Sequence, residues 1–487
     1  MSMIAIYDDR IRVPEEARAF VGVEHFSQLV FRKRTLAEHM TEMLVAAGIE
    51  NVTTIASDED ARTCAERLQR GAVSQRVVYV PASLTFLQRE AALLCLRKIA
   101  LSEDHFAVAP DGNRAAPVLL TMGATTASRY LMQFDLAQWS NRYGEGPCPF
   151  LWMENKMQAV DLSARGRLID FMSSTFDARN FNRIAQDDLL VTKRSPDIGK
   201  MRREFGYYTQ LEGPIRMFFL QPLSYREGPD WAEYQTERLF VPDVAIQWIH
   251  RSFDHNSFAT LLRRLRAYLA MRPLRTLTPE AGVTAVDELY PGKIAQRLDM
   301  LKQSPLAATI ERMAAQCPGV GSTAALFARY RHVWKKLSGL RRSVRQAVSH
   351  GDLCFSNILY HRQSQQLKCI DPRGATSPED VWLDEYYDVA KLSHSVLGLY
   401  DLINHDLVEL RLDRNLQLEL VLDVQGLRPL QQAFRESLAD AGFDLRLVRL
   451  YEASLFLSML PLHADVPKKV IAFLLTAAGI LDELERT

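Results

Sequence analysis

Apolar and polar positions follow two different rhythms along this chain. In the first part, short apolar runs alternate with helix-period segments. MIAIY (residues 3–7), NVTTIA (residues 51–56) and RVVYV (residues 76–80) read as strands, the last apolar throughout like a strand buried on both faces. Between the first two lies TLAEHMTEMLVAAGI (residues 35–49), an amphipathic helix that stops at Gly48. Strands separated by helices predict a parallel α/β sheet. Gly and Pro then cluster in GEGPCPFLWMEN (residues 144–155), where a linker is expected. From residue 157 the pattern shortens, and RLIDFM (residues 167–172), FNRIAQ (residues 181–186) and LLVTKRS (residues 189–195) read as successive antiparallel strands with a hairpin at Asp187 and Asp188.

KMRREFGYYTQL (residues 200–211) returns to helix period, with Met201, Phe205, Tyr208 and Leu211 on one face and Glu204 on its border. IRMFFLQPL (residues 215–223) reads as a strand. Beyond Val241 the chain is mostly helical, interrupted by strand segments within residues 348–360 and 367–374, and VIAFLLTAAGIL (residues 470–481) reads as a buried helix. The expected organisation is an α/β domain over residues 1–150, a small lobe over 156–225 and a larger, mostly helical lobe over 226–487.

Composition narrows the picture. A chain of 487 residues is too long for one core, so two or three domains are expected. Lys plus Arg and Asp plus Glu are both 59, so no global charge draws the chain to nucleic acid or anionic lipid. Any anionic ligand must be held locally. Six cysteines lie scattered without a CxxC pair, which fits a reduced, cytoplasmic setting. Acids appear almost at once in MSMIAIYDDRIRV, unlike a signal peptide, and the longest apolar run of twelve residues is short of a membrane span.

The chemistry concentrates in VSHGDLCFSNILY (residues 348–360) and LKCIDPRG (residues 367–374). Magnesium prefers hard oxygen ligands, and Asp352, Asn357 and Asp371 supply three of them at the ends of two short strands that a turn near residues 363–366 would pair. Phosphoryl transfer from ATP needs such ligands, a phosphate-holding cation and a group to orient the attacking hydroxyl.

HGDLCFSNILY followed by CIDPRG resembles the catalytic and metal loops of the aminoglycoside phosphotransferase and choline kinase superfamily, small-molecule kinases with a protein-kinase-like fold. The resemblance covers residues of about 160–487 and implies an α+β bilobal domain. It assigns Asp352 to the substrate hydroxyl, His350 to the shape of the catalytic loop, and Asn357 and Asp371 to Mg2+. VTKRS supplies Lys193 for the phosphates, with Glu204 as its partner. FFLQPL resembles the hinge between lobes, with Gln221 beside the nucleotide. YDVAKLSHSV resembles the helix after the metal aspartate, where Asp388 would cap the helix and brace the loop. Arg373 would meet a phosphate or cover the loop. Where the family has a glycine-containing phosphate loop, this chain has SSTFDARNF (residues 173–181), so Ser173, Ser174 and Arg179 would do that work and GTP stays open beside ATP as donor.

FSQLVFRKRTLAEHMTEMLVAAGIENVTTI is similar to the front of sugar nucleotidyltransferases. Their glycine-rich loop has no counterpart before Glu24, their phosphate lysine falls near Phe26, and their metal aspartate falls among Pro81, Ala82 and Ser83, so the resemblance implies a degenerate domain without its own catalysis. The expected activity is transfer of the ATP γ-phosphoryl group to a hydroxyl of a sugar, sugar derivative or amino alcohol, with surface polysaccharide metabolism suggested by the fusion alone. A catalytically silent pseudokinase is the alternative. A protein kinase is disfavoured by His-Gly-Asp in place of His-Arg-Asp. For the acceptor, Trp248, His250, Asp254, Trp382, Asp384, Glu385 and Tyr386 suit a polyol or a cationic amine, and the basic stretch of residues 331–346 reads as a helix with a solvated or anion-binding face.

Overall fold

The computed structural model describes residues 3–31, 34–70, 75–110, 119–132, 151–163, 165–173, 183–186, 189–341 and 343–486. The chain divides into two compact units, Met1–Thr175 and Phe176–Thr487.

In the first unit β1 (Met3–Asp8) pairs in parallel with β2 (Asn51–Ile55) on one side and β3 (Arg76–Pro81) on the other. Between them run α1 (Leu36–Ala46) and α2 (Asp58–Arg70). Thr35 and Glu38 close a capping box at the start of α1, and Gly48 turns the chain out of it at φ +88°, a left-handed conformation glycine adopts without strain. Beyond β3 the sheet becomes mixed: β5 (Leu119–Gly123) lies antiparallel to both β3 and β4 (Phe106–Val108). The ten residues between β4 and β5 are too few for a crossover helix, so the strands turn back on each other.

Two expectations for this unit are corrected. Within the stretch expected as a linker, β6 (Leu151–Trp152) pairs in parallel with β4 at the edge of the sheet, and just beyond that stretch Ala159–Asp161 pairs with Leu84–Phe86. RLIDFM forms the helix α3 (Arg165–Ser173) instead of a strand. Its buried Leu168, Ile169, Phe171 and Met172 are spaced i, i+1, i+3 and i+4, which a short apolar run satisfies as a helix face as readily as a buried strand.

The second unit begins with an antiparallel sheet in the order β7 (Arg183–Gln186), β8 (Leu190–Ser195), β10 (Ala232–Glu237), β9 (Pro222–Glu227). The hairpin expected at Asp187 and Asp188 lies outside the described residues. Helix α4 (Ile198–Gln210) packs on this sheet, started by the Asp197 carboxylate, which accepts from the Lys200 N–H at 2.8 Å. IRMFFLQPL is not a strand: Pro214 opens a 3-10 turn over Gly213–Phe218 that buries Ile215 and Phe218, and only then does the chain extend into β9.

The larger lobe is helical. Its centre is α17 (Leu445–Met459), buried from Leu447 onward, which packs on α14 (Tyr387–Val396) and α18 (Pro467–Arg486). Ahead of these come α5 (Val244–Ile249), α6 (His255–Met271), α7 (Pro279–Asp287), α8 (Lys293–Lys302), α9 (Ala307–Ala314) and α10 (Thr323–Leu337). The basic helix expected over residues 331–346 ends at Leu337, a turn follows at Ser338–Leu340, and Arg345–Val348 is a strand. The strands Ile358–His361 and Gln366–Cys369 form an antiparallel hairpin, Ile358 opposite Cys369. Among the described residues no helix is long and apolar enough to cross a membrane.

Phe258, fully buried on α6, packs against Trp248 and Phe253 at ring distances of 5.5 and 5.8 Å. Phe258→Ala should lower the unfolding free energy by about 3–5 kcal/mol, read from the midpoint of a urea transition followed by tryptophan fluorescence.

Candidate active site

Lys193 stands in the middle of β8 with its ammonium buried, and a buried ammonium persists only where carboxylates meet it. Two do. Nζ lies 2.8 Å from Glu204 Oε2 on α4 and 2.8 Å from Asp371 Oδ1, at the end of the hairpin in the other lobe. Burial alone would lower the Lys193 ammonium; Asp371 and Glu204 together raise it above its usual value. The Glu204 carboxyl is pushed up by burial. It also accepts from the Tyr234 hydroxyl at 3.1 Å.

Two glycines let α4 lie against the metal loop. A Cβ on Gly206 would sit 2.4 Å from the Ala375 carbonyl oxygen, and one on Gly374 would sit 2.8 Å from the Arg203 carbonyl carbon. In that contact the Ala375 N–H donates to the Arg203 carbonyl at 2.8 Å. Asp371 itself holds φ +54°, a left-handed backbone unusual for a non-glycine residue and kept here by its surroundings.

The catalytic loop is built around one buried carboxylate. Asp388 Oδ2 accepts from the His350 N–H and Oδ1 from the Gly351 N–H, each at 2.9 Å. The Tyr268 hydroxyl donates to Oδ2 at 3.2 Å, and the Arg272 guanidinium lies 3.4 Å away. Asp388 does not cap α14, because both its oxygens are taken by the loop. His350 accepts from the Asp352 N–H at Nδ1 (3.2 Å) and donates from Nε2 to the Ile370 carbonyl (2.8 Å), tying the catalytic loop to the metal loop. Burial holds the ring below its usual pKa, so it is neutral and serves as a strut.

Asp352 projects from this loop with its two oxygens committed to opposite sides. Oδ2 accepts from Asn357 Nδ2 at 3.2 Å, and Nδ2 also donates to the Asp352 carbonyl at 2.8 Å. Oδ1 lies 2.8 Å from the ammonium of Lys391 on α14. Enclosure by the loop would raise the Asp352 carboxyl, but Lys391 outweighs it and holds the group below the usual carboxylate range. Lys391 escaped the sequence reading, which used its segment only for Asp388. Its signal is a lysine one helical turn after that aspartate, three residues on and so on a shared face.

A divalent cation fits the remaining donors. With its amide nitrogen turned to Asp352, Asn357 leaves Oδ1 free to coordinate, and the Asp371 side chain is 45 % exposed despite its bond to Lys193.

Similar solved structures are aminoglycoside phosphotransferases. The enzyme APH(4)-Ia is 12% identical, with 66% of this chain and 97% of that chain covered and a TM-score of 0.38. A thermostable mutant of that enzyme, in a ternary complex with ADP and hygromycin B, is 12% identical over 66% of this chain and 98% of that one, with a TM-score of 0.39. The aminoglycoside-3'-phosphotransferase of type VIII is 13% identical over 64% and 98%, at 0.31. No family model and no curated protein matches. At these scores the likeness carries no weight for function, and the functional reading rests on the side-chain geometry.

The other expected site residues are dispersed. Gln221 is exposed between the lobes' connecting segment and β9, its amide 3.4 Å from the Pro222 carbonyl. Ser174, Arg179 and most of their loop lie outside the described residues, as does the Ser173 side chain. Arg373 is exposed, packs over Gly351, and donates its backbone N–H to the His350 carbonyl at 2.9 Å. Four of the residues expected to suit a polyol or a cationic amine are spent elsewhere. Trp248 is core, Asp254 caps α6, and Asp384 and Glu385 are bound by Arg341.

Asp388→Ala would strip the loop amides of their acceptor and leave Arg272 buried without its counter-charge. A loss of about 3–5 kcal/mol in unfolding free energy is expected, measurable by chemical denaturation.

Proposed function

We propose that this protein transfers the γ-phosphoryl group of ATP to a hydroxyl group of a small molecule. The observation that carries the reading is the meeting of Lys193, Glu204 and Asp371 across two lobes, beside an Asp352 carboxylate kept ionised and hydrogen-bonded to Asn357. Lys193 would hold nucleotide phosphate oxygens while Glu204 keeps its ammonium aimed. Mg2+, held by Asn357 and Asp371, would neutralise the phosphate charge that builds during transfer. Asp352 would orient the acceptor hydroxyl and take its proton as the oxygen bonds to the γ-phosphorus and ADP leaves. A silent scaffold would have no use for a charged aspartate exposed at the head of so rigid a loop.

Asp352→Asn should cut ATP-dependent phosphorylation about 10²–10⁴-fold in protein that still shows a cooperative urea transition; full turnover by this variant would sink the assignment of the base.

The charge on Asp352 also sets an acid limit. Its carboxyl is held low, so activity should persist down to below the usual carboxylate range and fall as pH drops through the depressed value. In Lys391→Met the largest charge opposing burial is gone, and the acid limb of kcat/KM should move to higher pH. A pH profile of kcat/KM for both proteins decides it, and an unmoved limb would count against the pair.

A further inference from the structure

The Oδ1 side of Asp352 leads to two lysines. From Oδ1 the path leads to Lys391 and, one turn earlier on the same face of α14, to Tyr387. The Tyr387 hydroxyl accepts from Lys293 Nζ, at the start of α8, at 2.9 Å. Tyr387 is buried to 2 % exposure, yet its own hydroxyl proton meets no acceptor among the described residues. Burial alone would raise this phenol; Lys293, Lys391 and Arg373 together bring it below its usual value, so all three charges reach it. The Arg373 guanidinium forms no ion pair among the described residues. The acids nearest by are already neutralised, Asp384 and Glu385 by Arg341, Glu385 also by Arg345 at 2.7 Å, and Asp388 by Arg272.

Lys293, with no carboxylate partner among the described residues, and a buried phenol with a proton to give form a site for an anion and repel an amine. Asn357 holds Oδ2 of Asp352 and Lys391 holds Oδ1, so this row meets the base at the oxygen that Asn357 does not hold. We infer that the acceptor carries an anionic group, a phosphate or a carboxylate, seated on Lys293 and Tyr387 while its hydroxyl meets Asp352. This inference rests on the kinase reading above and gives its acceptor a charge.

The test uses acceptors that differ only in charge: glycerol with glycerol 3-phosphate and glycerate, ribitol with ribitol 5-phosphate and ribonate, and glucose with glucose 6-phosphate, gluconate and glucosamine. Release of ADP from saturating Mg-ATP gives kcat/KM for each. At least one anionic member should exceed its neutral parent by about tenfold or more, with glucosamine below glucose, and the phosphate and carboxylate arms identify which anion is read. Lys293→Met should raise KM for that compound about tenfold while leaving KM for ATP alone, and Lys293→Arg should restore much of it. Preference for neutral or amine members, an unchanged acceptor KM in Lys293→Met, or no response to any anion by protein that binds Mg-ATP would overturn the inference. Failure to bind Mg-ATP, measured separately by calorimetry, would instead overturn the kinase reading and this inference with it.

Discussion

One buried ammonium organises the second unit. Lys193 comes from the small sheet, Glu204 from the helix packed on it, and Asp371 from a hairpin in the helical lobe, and all three must converge because an unpaired charge at that depth is untenable. The convergence explains features that look unrelated in isolation. Gly206 and Gly374 have no side chain because α4 and the metal loop must touch backbone to backbone for Glu204 and Asp371 to share one lysine. The left-handed backbone at Asp371 turns its carboxylate back toward Lys193 at a local cost that the ion pair and the Ala375 hydrogen bond offset.

Asp388 does for the catalytic loop what Lys193 does between the lobes. A carboxylate with no solvent exposure receives two adjacent backbone N–H groups, and this is possible because Gly351 holds φ +79° and lets successive amides point the same way. The ring of His350 then reaches across to Ile370, so catalytic and metal loops move as one piece. Tyr207 adds a third tie, its hydroxyl donating to the Ser349 carbonyl at 3.0 Å from α4. The small lobe is therefore fastened both to the metal loop and to the loop that carries Asp352.

What could be read from the chain alone follows from distance along it. Asp352, Asn357 and His350 lie within eight residues, and Asp371 follows across one hairpin, so spacing and a strand pattern suffice to relate them. Lys193 with Glu204 is legible for the same reason, a strand followed at once by a helix. Lys391, Tyr387 and Lys293 were missed because their meaning depends on which helix packs beside which, and Lys293 lies 94 residues from the tyrosine it touches. Errors in the fold have a local cause too. RLIDFM, like the run after Pro214, is a short apolar segment whose periodicity fits helix and strand alike, and the choice falls to tertiary packing. The break after Leu337 separates Arg341 and Arg345 from the helix before them and delivers both to Glu385.

The pairing of Asp352 with Lys391 is unexpected for a group proposed to take a proton in phosphoryl transfer, since a neighbouring cation makes a carboxylate a weaker base. The nature of phosphoryl transfer resolves this. Its transition state is loose, with little proton movement needed before the oxygen has bonded to phosphorus, so orientation and charge matter more than basicity. A carboxylate whose one oxygen is fixed by Asn357 and whose other is fixed by Lys391 has little freedom to rotate, and a hydroxyl bonded to it is aimed. The lysine therefore trades base strength for a fixed geometry and adds a positive charge beside the oxygen it holds. A polar or anionic acceptor gains from that charge during approach, and a cationic one loses.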